Sequence, residues 1–235
     1  MPASCPRVRQ SISTGQAEID HRIGNGIPRG SLTLIEGRRA AGKSVFCQHL
    51  TYSAVQTSNG VAYYTSETGS PSIITQMASL GLDVLDYFLL DQLRIFPLEL
   101  SGDYAEPVEL LEALLRHMAD LPPEFRFIVV DSLTPFIPHC SKSAILGFFM
   151  GCRQLCHQER TIVLTLNPGP RINSIGTRLY SWCDIHLRLK LETVMVERVV
   201  KALEVFKPSE QSTGDAAKVN FEVQPGQGIR IIWPK

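Results

Sequence analysis

The chain has 235 residues, 44% of them hydrophobic, and its 23 lysine and arginine residues balance 23 aspartate and glutamate residues. A net charge of zero excludes the overall positive field that favours binding to nucleic acid or to an anionic membrane. No apolar run approaches the length of about eighteen residues that indicates a membrane-spanning helix, and the first residues lack the apolar core of a signal peptide. We therefore expect a cytoplasmic globular protein whose cysteines are reduced thiols.

Strands and helices alternate along the first half of the chain, after a polar tail predicted to be flexible at residues 1–10. The predicted elements are a strand at 31–36 (SLTLIE), a helix from Ser44 to Ser58, a strand at 61–67 (VAYYTSE), a helix from Pro71 to Leu80 and a strand at 93–99 (LRIFPLE). Pro97 lacks the N–H group that a central strand needs, so the last of these strands is expected to be short or to lie at a sheet edge. This alternation is typical of a parallel sheet whose strands are joined by helices.

The second half continues the alternation and then changes to strands alone. A helix is predicted at 107–120, a strand at 125–132 (FRFIVVDS), a helix around 145–155 and a strand at 161–167 (TIVLTLN). The second of these helices has an apolar stripe at helical spacing: Ile145, Phe148, Phe149, Cys152 and Leu155. The β-rich segments beyond Asp184 are typical of antiparallel hairpins. We therefore predict an α/β fold, a mostly parallel sheet flanked by helices with an antiparallel extension at the C-terminal end, forming a single domain over 11–235.

The stretch GRRAAGKS at 37–44 has the pattern GxxxxGK[ST] of a phosphate-binding loop. It follows a predicted strand and opens a predicted helix, where glycines let backbone N–H groups turn toward phosphates and the helix N-terminus adds a favourable dipole. The plain alternative is a glycine-rich turn before a helix. Lys43 is expected to reach the β- and γ-phosphates of ATP, and the Ser44 hydroxyl to ligate Mg²⁺. The residues predicted to bind the cofactor from this loop are Gly37, Ala40, Ala41, Gly42, Lys43, Ser44 and Val45.

Two acids end neighbouring strands of the predicted sheet. Asp131 ends the apolar run FIVVD, which would bring its carboxylate to the carboxyl edge of the sheet as a ligand for Mg²⁺ beside Ser44. Its alternative role is that of a turn residue or helix cap. Glu67 ends the strand VAYYTSE in the same layer, where it can orient or deprotonate an attacking water, and its alternative is a solvated loop glutamate. We predict Asp131 as a metal ligand and Glu67 as the catalytic residue.

Three weaker candidates have structural alternatives. Cys152, Cys156 and His157 have helical spacing that would suit a metal, but no second pair of ligands is evident, so buried core thiols are favoured. The stretch NPGPRINSIGTR at 167–178 is interpreted as a loop that either contacts phosphate, DNA or a partner or is simply solvated. His49 lies on the predicted buried face of the first helix and is interpreted as a packing residue.

The stretch STGQAEIDHRIGNGIPRGSLTLIEGRRAAGKS at 13–44 resembles the opening of the RecA/KaiC-like ATPase family. In that family a Thr-Gly turn, a short helix ending in glycines and an Ile-Pro-Arg-Gly turn lead into the strand before the phosphate loop. The resemblance implies a RecA-like fold. It also implies that Glu67 takes the place of the family's catalytic glutamate and Asp131 that of its Walker B acid.

A narrower resemblance covers nearly the whole chain beyond residue 11. The segments SLGLDVLDYFLLDQLRIFPLEL, VVDSLTPFI, CDIHLRLKLE and VNFEVQPGQGIRII, in this order and spacing, resemble the FlaH (ArlH) branch of that family, the accessory proteins of the archaeal flagellar (archaellum) motor. This implies an ATP-binding regulator with weak or no hydrolysis that forms a homo-oligomeric ring and docks on the secretion-type motor ATPase. That ATPase and the membrane platform protein would hold the complex at the inner face of the cell membrane, and no nucleic-acid partner is expected.

Two positions depart from the family pattern. The strand TIVLTLN ends in Asn167 followed by proline, where His-Pro is expected, so an amide replaces an imidazole at a position suited to sensing the γ-phosphate. KaiC-like members often carry Lys-x-Arg in a late hairpin that reaches the neighbouring subunit's nucleotide. Here Lys207 is kept, but Ser209 stands at the arginine position. Asn167 and Lys207 are still predicted to contact the nucleotide. The two departures predict that the protein binds ATP but hydrolyses it slowly.

Two other classes of function fit a RecA-like chain. A DNA recombination or repair ATPase would need basic, mobile loops facing the centre of a ring, and zero net charge with few arginines in those loops argues against it. A KaiC-like autophosphorylating ATPase normally uses two fused domains, whereas one domain is predicted here. The archaellum role is therefore the leading interpretation.

Overall fold

A β-sheet with helices on both of its faces forms the protein. The computed structural model describes residues 10–57, 59–66, 69–98, 107–194, 198–206 and 217–233. Its strands are β1 (Ser11–Ile12), β2 (Ile27–Pro28), β3 (Leu32–Gly37), β4 (Val61–Thr65), β5 (Leu93–Pro97), β6 (Phe127–Asp131), β7 (Thr161–Leu166), β8 (Ile185–Val194), β9 (Arg198–Phe206), β10 (Ala217–Gln224) and β11 (Gly228–Ile232). Its α-helices are α1 (Ala17–Ile23), α2 (Lys43–Gln56), α3 (Ser70–Ser79), α4 (Leu85–Leu89), α5 (Pro107–Asp120), α6 (Lys142–His157), α7 (Pro170–Asn173) and α8 (Gly176–Trp182).

The main sheet has nine strands among the described residues, in the order β11-β10-β9-β8-β3-β7-β6-β4-β5. The six strands from β8 to β5 in this order run parallel to one another, and β8, β9, β10 and β11 pair antiparallel. This confirms the predicted parallel sheet with its antiparallel C-terminal extension. Because β3 pairs with both β7 and β8, the loop that follows β3 begins between two strands.

The core has one layer on each face of this sheet. Strands β3, β4, β6 and β7 are buried along their whole length, as expected for parallel strands covered on both faces. Apolar residues of α2 and α3, including Phe46, Leu50 and Ile73, pack on one face. The predicted stripe of α6 is buried on the other face, where Phe148 and Phe149 join residues of α5. The helices thereby cover both faces of the sheet.

The predicted elements agree with the structure except between β7 and β8. Strand β5 is confirmed at the sheet edge and ends at Pro97. The interpretation of 167–178 as a loop is wrong, because α7 and α8 occupy most of it. The core stabilises these two short helices, because it buries Ile172, Ile175 and Leu179. The prolines and glycines of this stretch are typical of loops, so the sequence did not indicate the helices. The predicted tail falls almost wholly on residues 1–9, outside the described residues, and the extent of the single domain stays a prediction.

The described cysteines are buried, free thiols. Burial raises the pKa of Cys156 to about 12 and keeps its thiol protonated at neutral pH. His157, which follows it, is exposed. Within the described ranges no group of three or more histidine, cysteine, aspartate or glutamate residues could hold a metal ion, and no helix there is long and apolar enough to cross a membrane.

His49 connects α2 to the last hairpin. Its Nε2 accepts a hydrogen bond of 3.0 Å from the N–H of Ile229, and burial lowers its pKa to about 4. The neighbouring Gly228 has a φ of 67°, and a Cβ at that position would lie 2.1 Å from the same Nε2 atom. The interpretation of His49 as a packing residue therefore agrees with its surroundings: the ring is neutral and fills the space that Gly228 leaves.

Replacement of Gly228 by alanine should destabilise the protein more than the same change at Gly226. Both glycines have positive φ, at which an L-residue costs about 1–2 kcal/mol. Only Gly228→Ala also forces a Cβ into His49, because nothing lies within 4 Å of a Cβ at Gly226. We expect Gly228→Ala to lower the free energy of unfolding by about 1–3 kcal/mol more than Gly226→Ala, measured by urea denaturation. Equal losses would contradict this packing.

The free energy of unfolding should fall as the pH drops from about 6.5 to about 4. In that range His49 takes up a proton in the unfolded chain, where its pKa is 6.5, but not in the folded chain, where it is about 4. Stability is therefore lost on acidification, by roughly 2–3 kcal/mol for this group. The variant His49→Gln, whose amide oxygen can accept the same hydrogen bond, should lose this part of the pH dependence in urea denaturation at pH 7 and pH 4.5. An unchanged pH dependence would refute the assignment.

Candidate nucleotide-binding site

The loop between β3 and α2 places an open helix N-terminus at the carboxyl edge of the sheet. Ala40 and Gly42 both have left-handed backbone conformations, with φ of 64° and 101°. Gly42 is the N-cap of α2, has no side chain to cap the helix, and no acidic residue lies in the first turn. The first N–H groups and the positive end of the helix dipole are therefore not met by a capping side chain, which favours an anion at this position.

Lys43 fixes the shape of this loop. Its side chain is only 9% exposed, and its ammonium group donates hydrogen bonds to the carbonyl oxygens of Gly37 at 2.8 Å and Arg38 at 3.2 Å. A third bond, of 2.8 Å, goes to Oδ1 of Asn167 at the end of β7. The N–H of Asn167 in turn donates to Oγ1 of Thr134. One buried cation thus connects both ends of the loop to the neighbouring strand.

Asp131 lies at the carboxyl end of β6 and is 5% exposed. Its two carboxylate oxygens accept hydrogen bonds from the hydroxyl groups of Tyr63 at 2.9 Å and Thr165 at 2.8 Å. Burial, and then the charge of Asp131, raise the pKa of the Cys47 thiol on α2. The charge of Asp131 therefore acts on a residue of α2, and two hydroxyl donors orient its carboxylate.

A cavity of about 790 Å³ lies between the loop, the ends of β6 and β7, and strands β9 and β10. The loop side is formed by Arg39, Ala40, Gly42, Lys43, Ser44 and Val45. The opposite sides are formed by Ser132, Thr134 and Asn167 at the strand ends and by Lys201 and Val223 on the antiparallel extension. The space is large enough for a nucleotide, because ligand pockets commonly measure about 300–1,000 Å³.

The structure brings most of the predicted site residues together. Ala40, Gly42, Lys43, Ser44, Val45 and Asn167 line the cavity. Gly37 and Ala41 are buried in the loop behind it, and Asp131 is buried beside it. Glu67 and Lys207 lie outside the described residues. The roles assigned to all of these residues remain predictions.

Sequence reasoning missed the wall that β9 and β10 contribute. Lys201 is half-buried between the buried Val200 and Ala202, which is the ordinary pattern of a strand with one solvated face, and Val223 is a half-buried residue near the end of its strand. No local signal indicated that these strands pass beside the loop. Their position depends on the pairing of β8 with β3, which brings the antiparallel extension next to the start of α2.

Glu36, immediately before the loop, is an internal carboxylate with three partners. It is 1% exposed, and its oxygens lie 2.8 Å from Nε2 of His186, 3.0 Å from the Tyr180 hydroxyl and 3.6 Å from the Arg188 guanidinium. Burial alone would raise the pKa of Glu36, but the hydrogen bond and charge of His186, with smaller contributions from Tyr180 and Arg188, lower it. This cluster fastens the end of β3 to β8 and α8.

The parallel sheet and the loop define the class of the protein: a P-loop protein with a RecA-like fold. A family model described as "ATPase: KaiC" matches residues 12–235. The chain therefore belongs to the KaiC family of ATPases, and the predicted family is confirmed.

The named relatives show which members of this family the chain resembles. The archaeal flagellar ATP-binding protein FlaH of Sulfolobus acidocaldarius is 26% identical over 94% of this chain and 96% of its own length. The protein of the same name from Methanocaldococcus jannaschii is 27% identical over 94% of each chain. The crystal structure of flagellar accessory protein FlaH from Methanocaldococcus jannaschii has a TM-score of 0.74 at 24% identity and covers 96% of this chain and 100% of that chain. The predicted resemblance to FlaH is confirmed.

Loss of a hydroxyl donor to Asp131 should destabilise the fold. The variant Thr165→Val keeps the side-chain shape but leaves a buried carboxylate oxygen without its donor, which costs about 1–3 kcal/mol. Thr33→Val is the matched control, because the Thr33 hydroxyl is buried on β3 without a hydrogen-bond partner in the described structure. We expect urea denaturation to show a loss for Thr165→Val and no loss, or a gain, for Thr33→Val. Equal effects would contradict the role of Thr165.

Proposed function

We propose that this protein binds ATP with Mg²⁺ in the cavity beside residues 37–44 and that bound ATP regulates its assembly with the archaellum motor. The observation that carries the first part is the Lys43 ammonium group, which is held at the start of an uncapped helix by Gly37, Arg38 and Asn167. A fixed cation and free helix N–H groups at one point suit a phosphate chain.

The residues present fit a triphosphate with a magnesium ion. Lys43 and the first turn of α2 supply positive charge and N–H donors for phosphate oxygens. Ser44, which lines the cavity, and Asp131, which is buried next to the lining residue Ser132, offer the hard oxygen ligands that Mg²⁺ prefers. When bound, Mg²⁺ would neutralise charge on the phosphates. Asn167 would hold Lys43 near the terminal phosphate and respond to its presence.

Hydrolysis is proposed to be slow, with Glu67 as the residue that orients or deprotonates water. Asn167 supplies an amide where the family pattern has an imidazole, and Ser209 replaces the arginine of the late hairpin. An amide has no titratable proton and serine has no charge, so neither can supply the corresponding function. The nucleotide would then act by occupying the site for long periods rather than by rapid turnover.

The proposed role in the motor rests on the relatives named FlaH, which are described as archaeal flagellar ATP-binding proteins. We propose that this chain forms a homo-oligomeric ring, in which Lys207 reaches the nucleotide of a neighbouring subunit. The ring would dock on the secretion-type motor ATPase and lie with the platform protein at the inner face of the membrane. ATP would regulate docking by binding the docking-competent conformation more tightly than the other.

Lys43→Ala should abolish ATP binding. The change removes the cation and its three hydrogen bonds, and calorimetric titration with ATP and Mg²⁺ should show no heat of binding. The control is Lys190→Ala, which removes an exposed lysine that pairs with Glu204 on the sheet extension. It should bind as the wild type does. Urea denaturation should first show that both variants are folded. Equal affinity of Lys43→Ala and wild type for ATP would then refute the proposed site.

ATP should strengthen association with the purified motor ATPase. A coupling of about 1–3 kcal/mol would change the partner affinity about 5–150-fold. In a pull-down with and without ATP, wild type should associate when ATP is present, Lys43→Ala should not, and Glu67→Gln should retain ATP and hold the complex. If all three proteins bind the motor ATPase equally with and without ATP, the proposal that the nucleotide regulates association is wrong. That result would leave the proposal of ATP binding itself intact.

A further inference from the structure

A second cavity, of about 570 Å³, lies at the edge of the sheet opposite the candidate nucleotide-binding site. Several of its lining residues precede strands: Arg29 and Gly30 come before β3, Asn59 before β4 and Arg126 before β6. Because β3, β4, β6 and β7 are parallel, their starts meet at one edge and their ends at the other. Strand β3 has six residues, so about 20 Å of strand separates this cavity from the loop at 37–44. The two cavities are therefore distinct.

The described lining of this second cavity is mainly cationic and polar. It contains three arginines, Arg29, Arg126 and Arg153, and one acid, Glu159. Arg126 pairs with Glu159 at 3.3 Å, where both side chains are more than half exposed, and Arg153 pairs with Asp184. Two acids thus neutralise two of the three arginines. The charge of Arg29 has no ionic partner among the described residues.

Arg29 also has a buried donor that lacks an acceptor. Its Nε atom is buried and has no hydrogen-bond partner within the described part of the chain. Arg160 shows the ordinary arrangement of a structural arginine, because its guanidinium donates to the carbonyl oxygens of Leu121, Pro122 and Phe125. A buried donor without an acceptor costs about 1–3 kcal/mol. The surroundings of Arg29 therefore favour an acceptor that comes from outside the chain.

The turn that contains Arg29 is held in place by backbone contacts. The N–H of Arg29 donates to the carbonyl oxygen of Gln10 at 2.9 Å, and the N–H of Gly30 donates to the hydroxyl of Thr161 at 3.0 Å. Gly30 has a φ of 70°, and a Cβ at that position would lie 3.2 Å from the carbonyl oxygen of Cys156 at the end of α6. Arg29 therefore lines the cavity from a turn that is fixed against β7 and α6.

We propose that this cavity binds the phosphate group of a small phosphate monoester, with the Arg29 guanidinium as the main contact. Phosphate oxygens accept charge-assisted hydrogen bonds from the planar fork of a guanidinium. The exposed Arg126 supplies a second contact by turning from Glu159 to the phosphate, because a surface ion pair contributes only about 0–1 kcal/mol. The volume is that of a small-molecule site, so the cavity also holds the body of the ester. This inference does not depend on ATP binding at 37–44.

The test measures binding of glycerol phosphate by calorimetric titration at constant pH and ionic strength. Arg29→Met keeps the aliphatic stem and removes the guanidinium, and it should bind at least about tenfold more weakly than wild type, as for loss of a hydrogen bond to a charged group. Arg29→Lys, which keeps the charge without the fork, should lie between the two. The matched control is Arg230→Met, which removes an exposed arginine of β11 that is outside the cavity and should equal wild type. Binding at 37–44 is common to all of these proteins, so their differences report on Arg29.

Two further measurements separate a lost contact from a damaged fold. Arg29→Met should not lower the free energy of unfolding in urea, because it removes a buried donor that has no acceptor. Its affinity for ATP should equal that of wild type. If no variant and no wild type binds ATP, the proposed function fails, whereas the comparison with glycerol phosphate still decides the present inference.

Four results would overturn the inference. Glycerol phosphate that does not bind wild type would show that the cavity is not a phosphate site, and equal binding to wild type and Arg29→Met would show that Arg29 makes no contact. Acetate that binds as tightly as glycerol phosphate would indicate a general anion site. Association with vesicles that contain phosphatidic acid, lost in Arg29→Met, would place the same phosphate chemistry on a lipid headgroup rather than on a small molecule.

Discussion

The ammonium group of Lys43 is the contact on which the site depends. It is nearly buried and has carbonyl oxygens of the loop on one side and the Asn167 amide on the other. A buried cation is costly unless hydrogen bonds replace its hydration, and here three acceptors do so. The bonds set the loop shape, the direction in which α2 begins and the position of the end of β7. Removing this one charge would leave buried acceptors of two elements without their donor.

The order of strands in the sheet brings the antiparallel extension, β9 to β11, next to the candidate site. β8 pairs with β3 up to Gly37, and β9 and β10 follow β8 in the sheet. The buried cluster of Glu36, His186 and Tyr180 fixes this pairing at the base of the loop. As a result, Lys201 and Val223 form one wall of the cavity, while strand ends form the other. A nucleotide there would contact residues from both halves of the chain.

The electrostatics of the site are local. The chain has a net charge of zero, yet the described lining of the cavity is cationic. Overall charge therefore describes the long-range field and says nothing about a few side chains that converge within one cavity. The uncapped start of α2 adds its backbone dipoles to the charge of Lys43 in this positive region.

The sequence by itself determined the alternation of elements, the loop at 37–44 and the proximity of Asn167 to it, because periodicity, motif spacing and the shared edge of parallel strands are readable along the chain. It also determined the buried stripe of α6. Only the tertiary structure decided that Tyr63 and Thr165 orient Asp131, that residues 170–173 and 176–182 are helical and that Lys201 lies over Gly42. These contacts join residues far apart in sequence through strand pairing and core packing. Their geometry depends on which strands become neighbours, and local residue patterns do not contain that information.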